Sequence, residues 1–211
     1  MSPDILDDPL SLDQYTIIRR DRATGLGGGV ACYIRDDIQW FRRNDLENSS
    51  MECIWIEVNV KFSRSILICV LYRPPDSSKH LSSKFNESFS ECLSTIGSES
   101  KEIVIMGDLN TDFLKPSNNK AIKDIMLTNG LKQMIESATR TTSTSETLID
   151  IIATTHEDNI HSHIVIGNSL SDHDLVGVVR KMNCKKYAPK IIRTRNFSKY
   201  DVNIFKRDLS N

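Results

Sequence analysis

No stretch of the 211-residue chain approaches the ~20 consecutive apolar residues that a membrane span needs, so no membrane partner is expected. The first residues, Met1-Ser2-Pro3-Asp4, have neither the basic start nor the apolar core of a secretory signal. Cysteine is scarce and odd in number: Cys32, Cys53, Cys69, Cys92 and Cys184, with no C-x-x-C pair. Three of the five lie inside apolar, strand-like runs. That usage speaks against a disulfide framework or a zinc site and fits buried thiols in a reducing, intracellular compartment. The run Gly25-Leu26-Gly27-Gly28-Gly29 lacks the G-x-G-x-x-G spacing and precedes a strand, so it is not a dinucleotide fingerprint. No Gly-Lys-Ser/Thr follows it, which removes a P-loop. Internal repeats and low-complexity segments are absent.

What remains is the composition of a folded domain, with 39% hydrophobic and 26% charged residues in 24.0 kDa. A chain of this size can bury about 70% of its unfolded surface. The net charge of -1 hides an asymmetry. From Arg180 to Arg207 there are ten Lys/Arg and one acid, Asp201, a net of +9; the other 183 residues hold 17 basic and 27 acidic side chains, a net of -10. An acidic body therefore carries a basic tail, which reads as a solvated linker or a nucleic-acid contact. The apolar period is lost beyond Met182, which places a boundary between a domain at 1–182 and a basic segment at 183–211.

Periodicity predicts the elements. Strands are expected at Tyr15–Arg19, Val30–Ile34, Cys53–Val60, Ser65–Tyr72, Ile103–Met106, Leu148–Ala153, His163–Ile166 and Leu175–Val179. In Cys53–Val60 the alternation puts Ile54, Ile56, Val58 and Val60 on one face and Trp55, Glu57 and Asn59 on the other. Ser65–Tyr72 is continuously apolar, as a strand covered on both faces should be. Helical spacing runs from His80 to Gly97 and again over Asn119–Asn129, where Gly130 is a good C′ residue. Adjacent strands mixed with helices argue for an α/β fold with mixed sheets.

The polar residues that carry chemistry sit at the ends of the apolar strands. Asp108 and Asn110 follow Ile103–Met106 and, two apart, point the same way. Asp172 and His173 follow Ser171 and lead into Leu175–Val179. Asp150 lies between branched aliphatics, where an unpaired carboxylate costs several kcal/mol, and His173 is its natural partner. Tyr72 ends a buried strand with its hydroxyl free to point outward. Each feature alone has a bland reading as a turn, a cap or an ion pair. Together, several carboxylates, an amide and a histidine are what phosphodiester hydrolysis with a hard divalent cation requires. A cysteine or serine nucleophile has no support. His156, His161 and His163 lack a fourth ligand at zinc spacing and read as an exposed polar segment. Trp40-Phe41-Arg42-Arg43 reads as a strand edge rather than a single-strand-binding platform.

Taken in order, GGGVACYIRDDI, ECIWIEV, ILICVLYRPP, EIVIMGDLN, ATRTTSTSETLIDIIATT and SDHDLVGVV resemble the endonuclease/exonuclease/phosphatase superfamily. The branch they look most like is the apurinic-type endonuclease domain of jockey-like non-LTR retrotransposons, over about residues 2–181. The resemblance implies a four-layer α/β/β/α sandwich with two mixed β-sheets and Mg²⁺-dependent nicking of DNA, with Mn²⁺ as a substitute. It implies that Asp108 orients the attacking water and helps hold the metal, and that Asp172 is a metal ligand. It implies that Asn110 contacts the scissile phosphate, that His173 stabilises the transition state and is oriented by Asp150, and that Tyr72 touches the phosphate or the metal's water. Thr139-Arg140 matches the family's Thr-Arg and is assigned a DNA-backbone role, with Arg140 as a substrate-binding residue. The tail resembles the linker to a reverse transcriptase, and a working domain of this kind would act in the nucleus. Two other readings stand beside it: a catalytically inactive remnant that at most binds nucleic acid, and another phosphodiesterase or phosphatase of the superfamily. The family pattern also begins with an Asn-bearing strand and a Glu-Thr-Trp-Leu-like strand whose Glu binds the metal. Met1-Ser2-Pro3 looks like the residues just after that motif, and no early acid (Asp4, Asp7, Asp8) sits on a strand to replace the Glu. The first strands of one sheet are therefore expected to be missing, leaving a sheet edge open.

Overall fold

The computed structural model describes residues 8–22, 27–61, 63–167, 171–182 and 201–210. In chain order the elements are β1 (Tyr15–Arg20), β2 (Val30–Arg35), β3 (Trp40–Arg42), β4 (Glu52–Val58), β5 (Ile66–Tyr72) and α1 (Phe85–Gly97). Then come β6 (Glu102–Asp108), α2 (Lys120–Thr128), β7 (Lys132–Gln133), β8 (Arg140–Thr141), β9 (Glu146–Thr147) and β10 (Asp150–Thr154). The last are β11 (Ile160–Ile166), β12 (Leu175–Arg180) and α3 (Val202–Leu209). Residues 183–200, most of the basic tail, lie outside the described residues.

The continuous apolar runs become the middle of a six-stranded mixed sheet in the order β3-β4-β5-β6-β10-β7. Its parallel pair is β5 and β6, and α1 is the crossover that joins them. One face packs on helices: Cys53, Trp55, Leu67, Cys69, Leu71 and Ile105 meet Phe85, Phe89, Leu93 and Ile96 of α1 and Ile122 and Met126 of α2. Side chains as deeply buried as Phe89 and Leu93 stabilise the fold by ~1.5–3 kcal/mol each. α1 begins at Phe85 rather than His80, because Ser78–Lys84 folds into successive turns (Leu81 N to Ser78 O, Phe85 N to Ser82 O). α2 stops in a Schellman motif: Leu131 N donates to Met126 O, and Gly130, at φ +69°, donates to Leu127 O.

The opposite face is covered by two antiparallel hairpins. The β1–β2 pair packs its Val30 and Ile34 on Ile54 and Ile56, and β12 lies over β10. The β11–β12 pair turns Val165, Val176 and Val178 into the core. The described residues thus build helix, sheet and strand layers in the α/β/β order. The second sheet is present as two separate hairpins, because β2 and β12 each pair only with their own hairpin partner among the described residues. Between the hairpins, over β5 and β6, an apolar groove of about 480 Å³ opens above Ile56, Ile68, Val70 and Met106.

Two features depart from the periodic reading. Trp55 and Glu57 are buried, because the helices cover that face of β4 and because Arg43 and Lys101 close on the Glu57 carboxylate at 3.0 and 2.8 Å. Arg42 and Arg43 do flank an edge strand, but as members of ion-pair networks with Glu47, Asp45 and Glu99.

Gly107 sets the geometry at the end of β6. Its φ is +138°, and a Cβ there would lie 1.9 Å from the backbone oxygen of Leu71. Gly107→Ala must therefore push β5 away from β6 as well as strain the backbone. The expected result is a loss of ~2–4 kcal/mol in urea unfolding, with the damage next to Tyr72 and Asp108.

Candidate active site

The C-terminal ends of β5 and β6 meet the start of β10 on the hairpin face of the sheet, at one end of the apolar groove. Register puts Asp108 directly opposite Asp150, so both carboxylates leave the same face. Backbone bonds hold the loop after β6: Arg73 N donates to Asp108 O (2.8 Å) and Leu109 N donates to Ile149 O (3.0 Å). His173 is carried in from a different part of the chain. The segment 171–174 is stitched to 139–141 by Asp174 N to Thr139 O (2.7 Å) and Thr141 N to Asp172 O (3.0 Å). That stitching brings His173 Nδ1 to 2.9 Å from Asp150 Oδ2. With Nδ1–H donated to the carboxylate, Nε2 is the nitrogen left for chemistry.

Asp150 is itself fixed from beneath by Thr139, which is fully buried. The Thr139 hydroxyl donates to Asp150 Oδ2 (2.8 Å) and accepts from the backbone N–H groups of Asp150 (3.0 Å) and Ile149 (3.2 Å). A buried side chain cannot touch a DNA backbone, so the role expected of Thr139 from sequence is corrected: it anchors Asp150. The signal that could have found this is a hydroxyl residue placed beside a strand that carries an apolar-flanked carboxylate. Arg140, next in sequence, is exposed and donates to Asp172 Oδ2 at 2.7 Å. That bond holds the Asp172 carboxyl below its usual range.

Asp108 accepts from Asn110 N (2.7 Å) and Asn110 Nδ2 (3.1 Å), and Asn110 Nδ2 also donates to Arg73 O (2.9 Å). Both amide protons of Asn110 are therefore engaged, and a contact to a phosphate requires it to release Asp108. Burial pushes the Asp108 carboxyl up to about 6, helped by the Asp150 charge across the strand pair and opposed by the bond from Asn110 N. Tyr72 is half-buried, with the Arg22 guanidinium 5.8 Å from its ring centre.

The ligating atoms of Asp108, Asp150 and His173 all lie within 4.8 Å of one another. Two hard carboxylates short of positive charge, one of them with a raised pKa, fit a divalent cation that keeps several waters. Asp172, expected as a ligand, lies outside this cluster and is turned to Arg140. His156, His161 and His163 do not come together as a metal group among the described residues.

The raised Asp108 value has a consequence for the metal-free chain. The native state holds this proton more tightly than the unfolded state, so the contribution is favourable at low pH. It is lost as pH rises from about 4 through about 6. Asp108→Asn is expected to stabilise the metal-free chain by ~1–3 kcal/mol at pH 8, with no difference near pH 4, in paired urea melts. Equal stability of the two chains at pH 8 would show that the carboxylate is not strained by ionisation.

Residues 66–176 match the family described as endonuclease-reverse transcriptase. None of the curated proteins matches the chain in sequence. Among solved structures, the endonuclease domain of TRAS1, a telomere-specific non-LTR retrotransposon, superposes with a TM-score of 0.60 at 16% identity, covering 80% of each chain. The 3′ phosphatase NExo from Neisseria, bound to product DNA hairpin, gives 0.60 at 13% identity over 84% of each chain. The Xenopus laevis APE2 catalytic domain gives 0.57 at 13% identity, over 83% of this chain and 79% of its own.

Proposed function

This chain belongs to the endonuclease-reverse transcriptase family, within the endonuclease/exonuclease/phosphatase superfamily, and from that premise we propose that it is a Mg²⁺-dependent endonuclease that nicks DNA. The observation that carries the reading is the cluster of Asp108, Asp150 and His173 at the strand ends. Asp108 takes the position of a group that orients water, with its carboxylate held by the Asn110 backbone N–H at 2.7 Å. His173, kept in one orientation by Asp150, offers Nε2 to the oxygen on which charge develops. Tyr72 and Asn110 flank the same point as donors to phosphate oxygens. Arg140 is the exposed cation for the DNA backbone; moving onto a phosphate, it would release Asp172 to join the metal site.

Asp108, with Asp172 once it is released from Arg140, would hold the Mg²⁺, with Mn²⁺ as a substitute. A divalent ion there supplies charge neutralisation for the phosphoryl group. The basic segment 183–211 would add sequence-independent DNA affinity and lead toward a reverse transcriptase in a parent polyprotein.

A second reading, an inactive remnant that at most binds nucleic acid, is favoured by the open groove between the hairpins, which leaves one side of the site unwalled. Calorimetric titration with Mg²⁺ and Mn²⁺ separates the two. The enzyme reading expects saturable binding that is lost in Asp108→Asn. No measurable affinity at millimolar metal favours the remnant.

A further inference from the structure

The far end of the sheet, remote from the candidate active site, carries a second polar cavity. It holds about 160 Å³ and is lined by Ser63, Arg64, Ser100, Glu102, His156 and Arg180, among others. A larger cavity of about 400 Å³ adjoins it and shares Arg64, Ser100 and His156. Glu102 opens β6 and Asp108 closes it, so six residue steps, ~20 Å of strand, separate the two places.

The hydrogen-bond state of this cavity is one-sided. Its carboxylate is already answered: Glu102 accepts from Arg180 Nε and Nη2 (3.0 and 2.7 Å) and from Asn159 Nδ2 (2.7 Å). All three guanidinium nitrogens of Arg180 are engaged, since its Nη1 donates to Lys181 O (2.8 Å).

The donors on the other side are open. Arg64 uses one nitrogen, Nη1, to reach Ser100 O (3.0 Å), and it has no carboxylate partner among the described residues. The Thr155 hydroxyl accepts from Ile103 N (3.0 Å) and lies 2.9 Å from His156 Nδ1. His156 Nε2 has no hydrogen-bond partner among the described residues, and a protonated Nε2 is a donor to an oxyanion. The hydroxyls of Ser63 and Ser100 have no hydrogen-bond partner among the described residues. A guanidinium, an imidazole and two hydroxyls thus border a space of about 160 Å³ beside a neutralised acid.

We propose that this cavity is a binding site for a phosphate group, with Arg64 and His156 as its principal contacts. A tetrahedral oxyanion accepts and does not donate, which matches donors that have no other acceptor. Guanidinium is the side chain best shaped for it. The site is independent of the hydrolytic cluster, and its ligand is either free phosphate or a phosphate of a nucleic-acid strand lying against this end of the sheet.

The test is calorimetric titration of the full chain, metal-free, with inorganic phosphate, and separately with a short single-stranded oligonucleotide. The site predicts saturable phosphate binding that weakens about tenfold or more in Arg64→Ala, and several-fold in His156→Ala. Binding should be unchanged in Lys84→Ala, which removes an exposed cation at the start of α1, outside this cavity. Both Arg64 and His156 are exposed, and circular dichroism checks that each variant is folded. If the oligonucleotide binds more tightly than phosphate and its affinity falls in Arg64→Ala, the phosphate belongs to a nucleic acid. If phosphate alone depends on Arg64, the ligand is the small ion. No binding at millimolar phosphate, or binding equal in Arg64→Ala and the parent chain, overturns the proposal.

Discussion

Replacing Asp150 by Asn in a nicking-competent form of the chain is expected to lower kcat by a factor of ~30–1000 with little change in DNA affinity. The carboxylate makes no contact a substrate would need. It accepts from His173 Nδ1 at 2.9 Å and from the Thr139 hydroxyl at 2.8 Å, so its work is to hold the imidazole with Nε2 outward. An amide at this position can present its NH₂ group to Nδ1 and turn the imidazole into the wrong tautomer. The range corresponds to ~2–4 kcal/mol on the barrier, as for other groups that stabilise developing charge.

The readouts are single-turnover rates and DNA binding measured apart. Thr139→Val is a useful companion: it keeps the shape, removes the anchor under Asp150, and should give a smaller loss in the same parameter. Full activity in Asp150→Asn would rule out the pairing as a catalytic device.

The second large effect concerns the groove between the hairpins. The family resemblance places an Asn-bearing strand and a Glu-Thr-Trp-Leu-like strand ahead of Met1. Among the described residues β2 and β12 each have an unpaired edge, and apolar side chains of β5 and β6 lie open between them. Extended apolar segments fill such a space well, because each inserted strand satisfies backbone groups and covers Ile68, Val70 and Met106 together.

The 211-residue chain by itself is therefore expected to be poorly soluble and to nick supercoiled plasmid very slowly or not at all. Extending it upstream through those two strands should restore Mg²⁺-dependent nicking, by at least two orders of magnitude in initial rate. The control is the same extension with its Glu changed to Gln, which should fold and remain inactive, because a Mg²⁺ site with few protein ligands loses one of them. Robust Mg²⁺-dependent cleavage by the unextended chain, abolished by Asp108→Ala, would show that its own acids suffice.

The sequence by itself determined the elements and the identity of the reactive groups. Runs such as Ser65–Tyr72 and Ile103–Met106 are short, continuously apolar and bounded by turn residues, as buried strands are. The spacing of Phe85, Phe89, Cys92, Leu93 and Ile96 builds one helical face, and Gly130 ends the next helix, since each of these signals is local. Asp108, Asn110, Asp172 and His173 were legible as polar residues at strand ends, and Asp150 as a carboxylate flanked by aliphatics; only the structure starts β10 at Asp150.

Only the tertiary structure decided their neighbours. Asp172 and His173 are adjacent in the chain, yet one faces Arg140 and the other Asp150, because the segment that carries them is clamped to residues 139–141 by backbone bonds. The burial of Thr139, the enclosure of Glu57 and Glu102 by distant basic side chains, and the very short strands β7, β8 and β9 leave no periodic trace. Periodicity reports which face of a segment is covered, and it is silent about what covers it. The placement of β12 over β10 and of β2 over β4 and β5 is a non-local outcome of packing. That placement leaves the groove open beside the acids and gathers Arg64 and His156 at the opposite end.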